Sequence, residues 1–386
     1  MVIQMELQDY RKQIDEIDND LVRLFLKRLD ISSKIASYKN EHQLPVFDAE
    51  RERQLLNRVS DMAGENNETY VRLLYTTLMG LSRAKQIKQL HNYTDSPLAV
   101  QIKKAIENTP RLFPERAVVA CQGVEGAYSQ QACDKLFNLP NIIYCSSFDG
   151  VCRAVENGLC RYGILPLENT TAGSVNQVYT LMTQYRFSIV RSTRLKISHA
   201  LLVKKGTRLE DIREIYSHQQ AISQCSNFLQ TLPNARVIPC ENTAIAAKRT
   251  ASSANIGTAA IASPSCAALY GLDCIASSIQ DNGGNFTRFI CISKETEIYP
   301  GSDKTSIMLR VPHKPGALFQ VLSRFYELGI NITKLESRPI PDSDFEFTFY
   351  FDMATPVYTP ALIQLLCELE AETEGFCYLG SYQETV

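Results

Sequence analysis

Residues 283–293 read GGNFTRFICIS, a polar turn delivered straight into an apolar strand. Side chains alternate on a pleated strand, so Asn285, Thr287 and Phe289 share one face, and Phe286 and Arg288 the other. Thr287 is then either an ordinary strand threonine or a hydroxyl held for chemistry. The flanking sequence repeats the pattern: AVVACQ (117–122), YGILPL (162–167), REIYS (213–217) and NIGTAAIA (255–262) are short apolar runs. Helical patterns such as SQQACDKLF (129–137) and SVNQVYTLMTQY (174–185) lie between them. That alternation predicts α/β architecture up to about Lys294, in one domain or two lobes.

On either side the pattern changes. From Met1 to Leu44 there is neither Gly nor Pro, and Tyr10, Ile14, Ile17, Leu21, Leu24, Ile31, Ile35 and Tyr38 fall at spacings of three and four. This is an apolar seam along one long helix, which implies a partner helix from another copy of the chain. PVFDAERERQLLNRV (45–59) and YVRLLYTTLMGLSRAKQIKQL (70–90) read as two further helices, so residues 1–90 are expected to form an all-α unit. Pro97, Pro110 and Pro114 mark a linker over 91–115, and the α/β domain is expected over 116–295. After it, strand SIMLRV (306–311), helix GALFQVLSRFYELG (316–329), strands NITKLESRPI (331–340) and FEFTFYFDM (345–353), helix TPALIQLLCELEAET (359–373) and strand FCYLGSY (376–382) give βαββαβ, a ferredoxin-like α+β unit over 303–386. Phe345, Phe347, Phe349 and Phe351 should share one face of their strand.

Composition narrows the class. At 386 residues the chain is too long for one core, and two to four domains are expected. The 40 basic and 42 acidic residues nearly cancel, which argues against nucleic-acid or membrane-surface partners and for small molecules. No apolar run reaches membrane-spanning length and the N-terminus is acidic, so a cytoplasmic location is expected. The 12 cysteines show no C-x-x-C spacing and the five histidines no cluster, so no metal is expected.

In the helical unit, Arg28 interrupts the apolar seam and needs an anionic partner there. Lys39 follows 11 positions later, about 20° round the helix, whereas Arg11 lies about 100° away and would reach a neighbour's pocket. Asp48, Arg51 and Glu52 share a face of the second helix, and Ser82 and Gln86 a face of the third. An N-cap at Asp48 and solvated faces elsewhere would account for these residues singly. Together they resemble the helical chorismate mutases, whose intertwined dimers rearrange chorismate to prephenate. The resemblance implies that Arg11, Arg28 and Arg51 hold the carboxylates, that Lys39 and Gln86 donate to the breaking ether oxygen, and that Glu52 receives the ring hydroxyl. Asp48 and Ser82 complete the matching pattern.

The α/β region offers polar strand-to-helix junctions at QGVEGAYS (122–129), LPLENTTAGSV (165–175) and IYSHQQAISQC (215–225), where ligands of such sheets collect. With NFTRF they resemble prephenate dehydratase, a two-lobed α/β enzyme similar to periplasmic binding proteins. Val124 and Gln219 depart from the family by standing where prolines are usual, which changes loop stiffness rather than a reacting group. The resemblance implies that Thr287 donates to the departing hydroxyl of prephenate, and that Ser129, Glu168, Asn169, Thr170, Ser217 and Gln224 position the substrate. Arg288 would hold a carboxylate unless strand alternation turns it away.

The C-terminal unit resembles an ACT domain. GALF (316–319) and ESRPI (336–340) match members that respond to phenylalanine, implying an effector site at Gly316, Ala317, Leu318, Glu336, Ser337 and Arg338. The expectation is a bifunctional chorismate mutase/prephenate dehydratase of phenylalanine biosynthesis, a homodimer or higher oligomer inhibited by L-phenylalanine. A non-catalytic amino-acid sensor and an arogenate-preferring dehydratase remain the alternatives.

Overall fold

The computed structural model describes residues 2–44, 46, 48–90, 96–340 and 346–385. Two compact units divide the chain, Met1–Val100 and Gln101–Val386. In the first, α1 (Val2–Glu41), α2 (Ala49–Ala63) and α3 (Glu68–Leu90) are joined so that α3 packs on both other helices. Asp48 starts α2 by accepting the Arg51 amide at 2.9 Å, and Gly64 stops it at a positive φ of 71°. Ala36, Val59 and Met79 are buried, but Tyr10, Ile14, Ile17, Leu21 and Leu24 are all more than half exposed on the single chain. Where a linker was expected, Pro97–Asn108 forms helix α4, with Pro97 at the first position, where a missing N–H costs nothing.

The second unit opens with β1 (Val118–Gln122), α5 (Tyr128–Leu136), β2 (Asn141–Cys145), α6 (Phe148–Glu156), β3 (Tyr162–Asn169), β4 (Gly173–Ser174), α7 (Asn176–Gln184) and β5 (Ser188–Lys196). The chain then crosses into a second lobe: β6 (Ala200–Val203), β7 (Glu214–His218), α8 (Gln219–Gln224), α9 (Ser226–Gln230), β8 (Arg236–Cys240), α10 (Thr243–Ser252), β9 (Thr258–Ala262), α11 (Ser265–Tyr270) and β10 (Asp273–Ala276). It returns through β11 (Phe286–Ser293), which lies antiparallel between β3 and β5. The two crossings run side by side: Ile279 donates to the His199 carbonyl at 3.0 Å and Ile197 to the Asn285 carbonyl at 2.8 Å. β11 buries seven consecutive residues from Thr287 to Ser293, as expected of a strand covered on both faces.

The βαββαβ unit follows as β12 (Lys304–Val311), α12 (Ala317–Glu327), β13 (Ile332–Pro339), β14 (Phe347–Met353), α13 (Pro360–Glu372) and β15 (Cys377–Thr385). Phe347, Phe349 and Phe351 stack along β14 with centroids 6.4 Å apart, while Phe345 lies outside the described residues. The last strand runs beyond the expected FCYLGSY, and its end pairs parallel with β5 (Gln383 with Arg191, Thr385 with Thr193). One sheet therefore runs β13-β14-β12-β15-β5-β11-β3-β1-β2 through the C-terminal unit and the first lobe, and the second lobe has its own sheet, β10-β6-β9-β7-β8. Gly380 makes the join possible: its φ is +135° and a Cβ there would lie 2.3 Å from the Ile189 carbonyl oxygen.

Candidate active sites

In the helical unit, the Arg28 guanidinium donates to the Leu78 carbonyl at 2.9 Å and to the Ser82 hydroxyl. Gln86 follows one turn beyond Ser82, 8% exposed, and its amide oxygen has no hydrogen-bond partner among the described residues. Lys39 donates to the Val46 carbonyl at 2.6 Å, and Glu52 is ion-paired to Arg83. Arg83 carries no signal of its own in the sequence, since its partner stands on a different helix. Arg11, Asp48 and Arg51 are exposed. Arg28 and Ser82 are thus brought into contact, with Gln86 one turn further along α3, while Arg11 stands on an exposed stretch of α1.

The cleft region of the second unit is organised by Asn169. Its Oδ1 accepts the backbone N–H groups of Thr171 at 3.0 Å and Ala172 at 2.9 Å, and the Thr171 hydroxyl at 2.7 Å. The amide orientation is thereby fixed, because backbone N–H groups can only donate. Asn169 Nδ2 then donates to Asn285 Oδ1 at 2.7 Å and to Thr287 Oγ1 at 2.8 Å. Asn169 and Thr287 are register partners on β3 and β11. With one lone pair engaged by Asn169, the Thr287 hydroxyl points its proton elsewhere, and among the described residues nothing accepts it. Asn285 Nδ2 passes the chain on to Gln224 Oε1 at 3.0 Å, and Gln224 Nε2 returns to the Thr171 hydroxyl at 2.8 Å. Gln224, on the second lobe, therefore spends both ends of its amide tying that lobe to the first. Thr170 clamps the incoming turn, donating to the Gly284 carbonyl at 2.8 Å and accepting from the Phe286 amide at 2.9 Å.

The remaining expected residues stand apart from this network. Ser217 is fully buried and donates to the Ile261 carbonyl at 2.7 Å, within its own lobe. Ser129 is buried in the first turn of α5, after Gly123 (φ +109°) and Gly126 (φ +87°); at Gly126 a Cβ would meet the Leu269 side chain at 2.9 Å. Val124 packs against the second-lobe core. Gln219 opens α8, where the His218 ring nitrogen accepts the Gln220 N–H at 3.3 Å in the role of N-cap.

Glu168 and Arg288 form the next register pair and turn toward the C-terminal unit, as strand alternation demands. Arg288 is 4% exposed. It contacts Glu168 at 3.2 Å, the Tyr382 hydroxyl at 2.7 Å and Asp352, and its Nε lies 3.1 Å from Glu384 as a charge contact without hydrogen-bond alignment. Burial works against the guanidinium charge, but Tyr382 and Asp352 more than compensate and raise its pKa. The other Glu168 oxygen accepts from Lys334 of β13 at 2.6 Å. Burial alone would raise the Glu168 pKa, yet Lys334 and Arg288 hold it below the usual carboxylate value. Glu336 receives Ser174 at 2.7 Å and Arg338 at 2.7 Å, so this part of the expected effector segment lies against the α/β region. Gly316, Ala317 and Leu318 form the N-terminal turn of α12, on a different element, with Gly316 at φ +82°. Lys334, Asp352, Tyr382 and Glu384 carried no local signal, since each is an ordinary charged or aromatic residue on a strand.

A helical three-helix unit, a two-lobed α/β cleft and a ferredoxin-like unit define a multidomain enzyme of the chorismate-utilising kind. The family models match in that order: chorismate mutase type II over residues 10–87, prephenate dehydratase over 119–297 and the ACT domain over 305–371. A bifunctional chorismate mutase/prephenate dehydratase of Aquifex aeolicus is 32% identical over 99% of both chains. Arogenate dehydratase 2 of Petunia hybrida is 40% identical over 69% of this chain and 72% of its own. A prephenate dehydratase of Arthrobacter aurescens, solved in complex with L-Phe, superposes with a TM-score of 0.63 at 27% identity, over 69% of this chain and 89% of that one. The chain belongs to the bifunctional chorismate mutase/prephenate dehydratase family. No helix among the described residues is long and apolar enough to cross a membrane.

Proposed function

We propose that the helical unit rearranges chorismate to prephenate and that the cleft converts prephenate to phenylpyruvate. The observation that carries the second step is the Asn169–Thr287 pair, which presents a hydroxyl that accepts from the Asn169 amide and whose own proton has no acceptor among the described residues. Loss of carbon dioxide delivers the C–C bonding electrons into the ring, and the ring hydroxyl leaves with its own bonding pair. Thr287 donates to that oxygen as negative charge builds on it. Aromatisation supplies the drive, so a placed donor is sufficient and no cofactor is needed. Thr170 holds the turn that delivers Thr287, and Gln224 holds the lobes. Ser129 and the neighbouring N–H groups of α5 suit a substrate carboxylate.

In the mutase step Arg28 and Arg51 bind the two carboxylates with Arg11 from a second copy, Lys39 and Gln86 donate to the ether oxygen, and Glu52 receives the ring hydroxyl. The uncovered α1 residues support a homodimer, with Arg11 completing the pocket across it. Asp48 serves by capping α2, which fixes Arg51 and Glu52. L-Phenylalanine is the effector of the C-terminal unit, held at Gly316–Leu318 and at Glu336, Ser337 and Arg338. Because Lys334 bridges Glu336 and Glu168, an effector that recruits Glu336 shifts a residue adjoining Asn169. Incubation with chorismate tests the whole assignment: prephenate should appear first and phenylpyruvate second, both without added metal, and phenylalanine should slow only the second. A chain that binds phenylalanine but yields neither product would instead be a sensor.

A further inference from the structure

We propose that His199 is a positioning residue for the dehydration, acting as its Nε2–H tautomer to fix the Gln224 amide and, through it, the Asn285–Asn169 amide chain that reaches the Thr287 hydroxyl. The inference rests on Thr287 being the hydroxyl that assists departure. His199 lies on the first crossing between the lobes, 2% exposed, and its Nε2 is 3.0 Å from Gln224 Oε1. The tautomer follows from the network. The two backbone N–H groups at Asn169 Oδ1 make Asn169 Nδ2 the donor to Asn285 Oδ1, so Asn285 Nδ2 must donate onward and Gln224 must present its oxygen. That same oxygen faces His199, which therefore carries its proton on Nε2. Its Nδ1 has no hydrogen-bond partner among the described residues, so none of them holds a proton there. Burial also depresses the imidazole pKa, which keeps the ring neutral.

The opposite tautomer would call for an N–H from Gln224. Turning that amide over presents its NH₂ to Asn285, and turning Asn285 in response sets two NH₂ groups face to face at Asn169. His199 is thus the end stop of a chain whose other end is the catalytic hydroxyl. Its main chain is itself pinned, its amide donating to Gln280 Oε1 at 3.0 Å and its carbonyl accepting from Ile279.

The full chain with prephenate as substrate provides the test. His199→Leu removes the donor, and His199→Gln keeps an N–H within reach of Gln224. We expect kcat for phenylpyruvate formation to fall on the order of 10- to 100-fold in His199→Leu with KM changed less than about threefold, and His199→Gln to recover most of the loss. On the unsubstituted protein, ring ¹⁵N spectra should show the His199 proton on Nε2, the signal being assigned by its disappearance in His199→Gln. Wild-type kcat in His199→Leu beside an inactive Thr287→Ala, or a proton on Nδ1, overturns the proposal. An active Thr287→Ala overturns it together with the reading it rests on, and the ring spectrum then tells whether the tautomer argument failed as well.

Discussion

Replacing Arg288 with Met should loosen the join between the first lobe and the C-terminal unit more than any other single charge removal there. The Arg288 side chain is 5% exposed and faces the side chains of Asp352 at 0% and Glu384 at 6%. Without it Glu384 keeps Arg194 at 2.8 Å and Lys304 at 3.3 Å, but among the described residues Asp352 is left with the hydroxyls of Ser306, Tyr350 and Tyr382 and no cation. A buried carboxylate stripped of its cation costs about 3–5 kcal/mol. Asp352→Asn should cost less, about 1.5–3 kcal/mol, because Arg288 keeps two carboxylates. Hydrogen exchange at the amides of β11 and β15 measures the local opening directly, and the larger loss corresponds to an acceleration of roughly 10²- to 10⁴-fold. Removing both partners in Arg288→Met/Asp352→Leu should restore part of the protection, since no charge then stays buried alone. Exchange accelerated less than tenfold in Arg288→Met, or more in Asp352→Asn than in Arg288→Met, would refute this account of the cluster.

Gly380→Ala should separate β15 from β5, because the added Cβ meets Ile189 backbone that cannot move aside; lost exchange protection confined to residues 381–385 and their β5 partners is the expected sign. His199 titrates below the ordinary histidine value when folded, so as pH falls through about 6.5 the unfolded chain takes up a proton that the folded one refuses. Stability should then decline by about 1.4 kcal/mol per pH unit until the folded pKa is reached, and His199→Gln should flatten that slope in urea titrations across pH 7 to 5.

Much of the fold was legible because its signals are local. The proline-free seam of α1, the apolar runs of the lobes and the alternating phenylalanines of β14 each declare their element through period alone. Thr287 and Asn169 were legible as candidates, since polar residues at the ends of apolar strands are conspicuous. The joining of β15 to β5 was not, because parallel pairing across such a separation leaves no mark on either strand beyond a glycine at position 380. Arg288 was half legible: alternation set it on the face opposite Thr287, but its partners come from strands far along the chain. His199 was invisible, a lone histidine in the apolar run ISHALLV, whose worth depends on a glutamine 25 residues away.

The most direct test of two separate sites on one chain is a chorismate time course with Arg28→Ala and Thr287→Ala. Arg28→Ala should fail to make prephenate yet convert supplied prephenate to phenylpyruvate at the normal rate. Thr287→Ala should accumulate prephenate at the normal rate and release phenylpyruvate on the order of 10²- to 10³-fold more slowly. Phenylpyruvate formed from prephenate at an undiminished rate by Thr287→Ala would contradict the central claim.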